Sequence, residues 1–317
     1  MTVTIATIIA VLTVVSFMLA MHVFKTRNVK NITLPMLCLI EYKFSGPFIK
    51  CLRRMVRTRS REVNLDLCKV LHFPYETYLV ICAQAEKAKD LGKNVFLCSS
   101  GSLSPAVART LMPGGSGGNM RTFHQHVTGG AAAFIQHSQI TPGLVNSVEK
   151  ELKRIGIRDY YEINTMVTEI IGNALEHGIR DQNINWWMYH RVERGVLKLV
   201  FVDMGMGIVK SYHNAGLGRF TSDDRLVRNA LDGKVGSSTK KPNRGKGLPQ
   251  MDHMVRKNFI SNFILITNTV TLRYTNGRYV SFRHPDFIGT YISWTVNKEN
   301  FSKWQTYLTS QGNMAVL

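Results

Sequence analysis

Residues 160–178, YYEINTMVTEIIGNALEHG, repeat apolar side chains at the three- and four-residue spacing of a helix that buries one face. Ile163, Met166, Val167, Ile170, Ile171, Ala174 and Leu175 form that face. Glu162, Thr165, Glu169, Asn173 and Glu176 collect on the polar side, because four residues nearly complete a turn. Such a helix needs an apolar surface to lie on, and the sequence downstream supplies one. Residues 185–191 and 196–202 read as strands joined at Glu193-Arg194-Gly195, and further strands follow at 260–266, 269–274, 278–283 and 290–296. Thr275-Asn276-Gly277 is the tight turn of a hairpin. Helices on one face of a mixed, mostly antiparallel sheet make an α+β architecture.

Three stretches in this region carry chemistry. Glu169 and Asn173 point the same way from the helix, with His177 one turn further along. A carboxylate can polarise a water or a hydroxyl, and an amide oxygen can hold Mg²⁺ without adding charge, although a solvated helix face has the same composition. Asp203 ends a strand, and Gly205 and Gly207 let the backbone turn sharply beside a ligand; the competing role for the carboxylate is a cap on the following helix. Gly245, Lys246 and Gly247 open another helix, whose free N–H groups and dipole favour phosphate oxygens. Lys240, Lys241 and Arg244 add positive charge beside them, as a solvated basic loop would too. No Gly-x-x-x-x-Gly-Lys-Ser/Thr occurs, so the phosphate loop of the P-loop proteins is excluded.

In order, the Glu169-x-x-x-Asn173-x-x-x-His177, Asp203-x-Gly205-x-Gly207 and Gly245-x-Gly247-Leu248 stretches resemble the N, G1 and G2 boxes of the GHKL ATPases. That superfamily includes gyrase B, Hsp90, MutL, histidine kinases and the anti-sigma serine kinases, and the N box is most similar to the last of these. The resemblance covers about 160–296, under half of the chain. It implies a two-layer Bergerat-type sandwich binding ATP and Mg²⁺, here preceded by a smaller α/β region. In it Glu169 would be the general base, Asn173 the Mg²⁺ ligand and Asp203 the reader of the adenine amine. Gly205 and Gly207 would approach the ring, and Lys240, Gly245, Lys246 and Gly247 would meet the phosphates. Thr290, after Gly289, would help to hold adenine through water. Pro249 departs from the commoner Gly-Leu-Gly continuation and puts the lid geometry in question; residues 216–244, long and polar, are the expected lid. The expected function is an ATP-binding protein that hydrolyses Mg-ATP or uses it as a switch. A serine/threonine kinase of the anti-sigma kind is the alternative, and a basic nucleic-acid or membrane adaptor with a vestigial pocket is the reading from another class.

The chain divides on this reading into 1–24, 25–61, 62–140, 141–297 and 298–317. Residues 2–24 hold no Asp, Glu, Lys or Arg, enough to span a bilayer as a helix, and Lys25, Arg27 and Lys30 follow. That order predicts an anchor with the remainder on the cytoplasmic face, or a cytoplasmic protein if 1–61 is not part of the functional chain. Residues 25–61 read as a basic linker able to lie on anionic headgroups. Residues 62–140 read as a small α/β region, with a helix at 75–91 stopped by Gly92 and a strand at 95–98; this unit resembles the regulatory STAS domains. Residues 298–317 read as a tail. Forty Lys and Arg against 21 Asp and Glu favour anionic partners, and a regulatory protein, nucleic acid and a second copy of the chain stay open as partners. Five cysteines without a C-x-x-C pair read as free thiols of a reducing compartment.

Overall fold

The computed structural model describes residues 16, 18, 29–41, 45–105, 107, 108, 135–137, 142–158, 160–178, 186–218, 220–234 and 247–314. The chain first builds a parallel unit from Val29–Thr33 (β1), Gly46–Arg57 (α1), Glu62–Asp66 (β2), Tyr75–Asp90 (α2) and Asn94–Cys98 (β3). Its sheet runs β1-β2-β3, with Val29, Glu62 and Asn94 level across the three strands. Residues 29–41 and 45–61, expected as part of a basic linker, therefore belong to a folded unit. Phe48, Ile49, Leu52, Met55 and Val56 recur at helical spacing beneath the basic residues and are buried, which makes α1 an amphipathic helix of the core.

Next come Ile135–His137 (β4), Pro142–Arg154 (α3), Tyr161–Gly178 (α4), Trp186–Glu193 (β5) and Val196–Asp203 (β6). Ile208–Asn214 (α5), Asp223–Leu231 (α6), Gly247–Arg256 (α7), Ser261–Thr275 (β7), Arg278–Asn297 (β8) and Lys298–Met314 (α8) follow. The second sheet has the order β4-β5-β6-β8-β7, and each of its pairings is antiparallel. The protein is thus α+β, with parallel and antiparallel pairing confined to separate sheets rather than mixed in one. Asn276 and Gly277 both have positive φ, as the turn between β7 and β8 requires. The strands expected at 260–266 and 269–274 are one strand, irregular around Thr267 and Asn268. Two other expectations change. Residues 298–314 form a helix with Phe301 and Trp304 buried in the core, not a tail. Part of the expected lid is α6, whose Leu226, Val227, Ala230 and Leu231 are buried.

The antiparallel sheet is apolar on both faces. Leu197, Leu199 and Phe201 of β6 join the core beneath α3, α4, α6, α7 and α8. Val200 and Val202, with Trp187, Tyr189, Ile266 and Tyr291, join a second core shared with α1, α2 and the parallel sheet. Helices α1 and α2 lie between the sheets, so the antiparallel sheet is covered on both faces, where helices were expected on one. Lys198 points into this second core and pairs with Glu41 at 2.9 Å and with Glu76; the Tyr291 hydroxyl donates to Glu41 at 2.6 Å. Burial alone would raise the Glu41 carboxyl, but the Lys198 charge and these hydrogen bonds outweigh it and hold the group below its ordinary value. No helix among the described residues is long and apolar enough to cross a membrane. The expected anchor at 1–24 lies outside them apart from Ser16 and Met18.

Candidate functional site

Asp203 closes β6 on the face that carries α4 and α7, and its register partner on β8 is Thr290. The residue is buried, and among the described residues no cation pairs with it, which is unusual for a carboxylate. Its Oδ1 accepts the Gly205 N–H at 2.8 Å, and Thr290 donates to the carboxylate from both hydroxyl and backbone. Burial pushes its pKa up to about 6, against the pull of those hydrogen bonds. Asp203, Gly205 and Thr290 thus meet in one place, although they come from stretches far apart in sequence.

The backbone is shaped around this carboxylate. Gly289 has φ of +92°, and a Cβ there would lie 1.8 Å from the Asp203 carbonyl oxygen, so β8 can approach β6 only with glycine at this position. Gly207 starts α5 at φ +82°, and a Cβ on it would meet Asn268 Oδ1 at 2.6 Å. The loop from Met204 to Gly207 is held from β7. Thr267 Oγ1 accepts the Ile208 N–H at 2.8 Å, Asn268 Oδ1 accepts the Lys210 N–H at 3.3 Å, and Asn268 Nδ2 donates to the Met206 carbonyl at 2.8 Å. Asn268 itself has φ of +49°, a conformation asparagine tolerates. Sequence reasoning passed over both residues. Their only trace is a polar pair interrupting an apolar run, Ile264-Leu265-Ile266-Thr267-Asn268.

Glu169 lies half-buried on α4, whose Ile163, Met166, Val167, Ile170 and Ile171 are buried against the sheet as the spacing predicts. After α4 the chain re-enters the sheet at Trp186, opposite Asp203. Helix α4 also touches α7, which begins at Gly247. The Asn173 backbone belongs to α4, while its side chain lies outside the described residues, as do Lys240, Gly245 and Lys246. The ends of the segment 235–246 are tied together. The Pro249 ring sits 3.3 Å from where a Gly233 Cβ would be, and Arg256 bonds both Asp232 at 2.8 Å and Asp252 at 2.7 Å. Pro249 therefore forms part of the base of this segment, and its place in the first turn of α7 costs no hydrogen bond. Among the described residues no group of three or more His, Cys, Asp or Glu could hold a metal.

The parallel unit supports this end of the antiparallel sheet from its other face. Gln84 Nε2 of α2 donates to the Ile288 carbonyl at 2.9 Å, next to Gly289. Asp286 accepts from Lys210 of α5 at 2.8 Å and from Arg57 of α1 at 2.9 Å. Comparison with protein-family models finds no match to the chain, and comparison with curated proteins finds none either.

Proposed function

We infer that the protein binds ATP in a pocket bounded by Asp203, Thr290, the Gly205–Gly207 turn and the start of α7, in the manner of the GHKL ATPases it resembles. The observation that carries this reading is Asp203: a buried carboxylate with no cationic partner among the described residues, oriented by Gly205 and Thr290. A carboxylate kept dry and fixed is suited to accept from an exocyclic amine, because leaving it unmatched is costly and filling it with a donor relieves that cost. Gly247 and the other N–H groups at the start of α7 meet the phosphates, with Lys240, Gly245 and Lys246 beside them. Asn173 holds Mg²⁺, whose remaining ligands are phosphate oxygens and water, so a cage of protein carboxylates is not needed. Glu169 activates the acceptor, a water or a protein serine. The bound nucleotide is hydrolysed or acts as a switch.

The test is thermal denaturation with and without Mg-ADP or Mg-ATP. A ligand at a hundred times its Kd stabilises by about 2.7 kcal/mol, which moves the melting temperature by several degrees. Asp203→Ala should abolish that response. An identical response in the variant removes Asp203 from the pocket.

A further inference from the structure

In a β-α-β-α-β unit with parallel strands, every strand begins and every helix ends at the same edge. Here that edge gathers charge from stretches that are far apart in sequence. Arg54 lies in the last turn of α1, Arg59 and Arg61 in the link to β2, and Lys89 and Lys93 flank the turn from α2 to β3. The level register of Val29, Glu62 and Asn94 brings these segments side by side, and the Asn94 N–H donates to the Arg61 carbonyl at 2.7 Å. Arg54, Arg59 and Arg61 are exposed and form no ion pair among the described residues, and Glu62 and Asp90 are the acids at this rim. Lys89 also lies 3.8 Å from Glu86, one turn back on α2. Between Lys89 and Lys93, Leu91 stands 54% exposed at the tip of the turn, apolar where the fold needs no apolar residue. The chain enters this edge at Val29, directly after the uncharged apolar stretch 2–24 and Lys25 and Arg27.

The geometry points to this edge as a surface that lies on an anionic lipid bilayer. Arg54, Arg59, Arg61, Lys89 and Lys93 meet headgroup phosphates, and Leu91 enters the boundary of the acyl region. Each cation near such a surface adds to binding, while a single apolar residue at a tip adds a contribution independent of charge. This assignment does not depend on the nucleotide pocket. It also fixes an orientation: Met36, Leu37 and Leu71, exposed at the opposite ends of the strands, face away from the bilayer.

Hydrogen exchange tests it on the full chain reconstituted in phosphatidylcholine vesicles with and without phosphatidylserine. Amides around residues 59–62 and 89–94 should exchange about an order of magnitude more slowly when phosphatidylserine is present, and those around 36 and 71 should not change. Reversing Arg59, Arg61, Lys89 and Lys93 to Glu should remove the difference, and Leu91→Ser should weaken it while leaving all charges in place. Equal exchange in the two vesicles overturns the assignment, as does a phosphatidylserine effect that survives the reversal. Protection of the same amides by single- or double-stranded nucleic acid, with no lipid effect, would make the edge a nucleic-acid interface instead.

Discussion

Asp203→Asn should make the nucleotide-free protein more stable while depriving it of nucleotide. A tenfold change in proton affinity corresponds to about 1.4 kcal/mol. Raising the carboxyl from 3.8 to about 6 therefore means that its ionised form costs the folded protein roughly 3 kcal/mol at neutral pH. Asparagine carries no charge, and its amide oxygen still accepts the Gly205 N–H. Its amide nitrogen faces two Thr290 donors; the hydroxyl can turn to accept but the backbone N–H cannot, and together they offset about 2 kcal/mol. The expected net gain is about 1 kcal/mol at neutral pH. Its pH dependence is the sharper test. Between 3.8 and about 6 the folded parent holds a proton that the unfolded chain has released, so the parent loses stability as pH rises through this window. The advantage of the variant should accordingly be near its full size above the window, shrink by roughly 3 kcal/mol through it and change sign below it. Urea denaturation of both proteins across that range measures it. A variant less stable than its parent at neutral pH, or an advantage that does not shrink toward acid, would refute the account of a carboxylate whose burial disfavours its charge.

Gly289→Ala should cost about 3 kcal/mol or more, because its Cβ would fall on the Asp203 carbonyl in a backbone conformation that alanine rarely adopts; denaturant midpoints decide it. Lys198→Met should cost about 3 kcal/mol at neutral pH by leaving Glu41 and Glu76 unpaired between the sheets. The Glu41 carboxyl is held low in the parent, so its contribution is lost as pH falls, and the parent and variant should converge in acid. His190 is buried with Nε2 3.0 Å from the Ser147 hydroxyl and Nδ1 without a hydrogen-bond partner among the described residues, and burial lowers its pKa. The folded state therefore resists protonation that the unfolded chain accepts, and stability should fall as pH drops below 6.5; His190→Leu should flatten part of that decline.

Some of this architecture was plain in the letters and some was hidden by them. Helix α4 was legible because its apolar period is strong, and the β7–β8 turn because Asn276-Gly277 suits positive φ at both positions. Helix α1 was obscured. Lys50, Arg53, Arg54 and Arg57 dominate the composition of its segment, and they masked the helical period of Phe48, Ile49, Leu52, Met55 and Val56. The Asp203 motif could be seen as a motif, but its pairing with Thr290 is a matter of strand register, which arises only when distant strands meet. The support given by Thr267 and Asn268 is equally non-local, reaching across to residues 206–210. The membership of the parallel unit in the same core was not visible either. Residues 199–202 of β6 read as one continuous apolar run, and such a run does not say how many neighbours will cover it.

The two-sided sheet bears on where this chain can be divided. A fragment begun at residue 141 would keep all three nucleotide motifs and lose α1 and α2. Trp187, Tyr189, Val200, Val202, Ile264, Ile266 and Tyr291 would then lie open to water as one greasy wall, with Lys198 stripped of its acids. Such a fragment should clump, and its failure to take up nucleotide would say nothing about the motifs. The smallest piece worth expressing starts ahead of Val29.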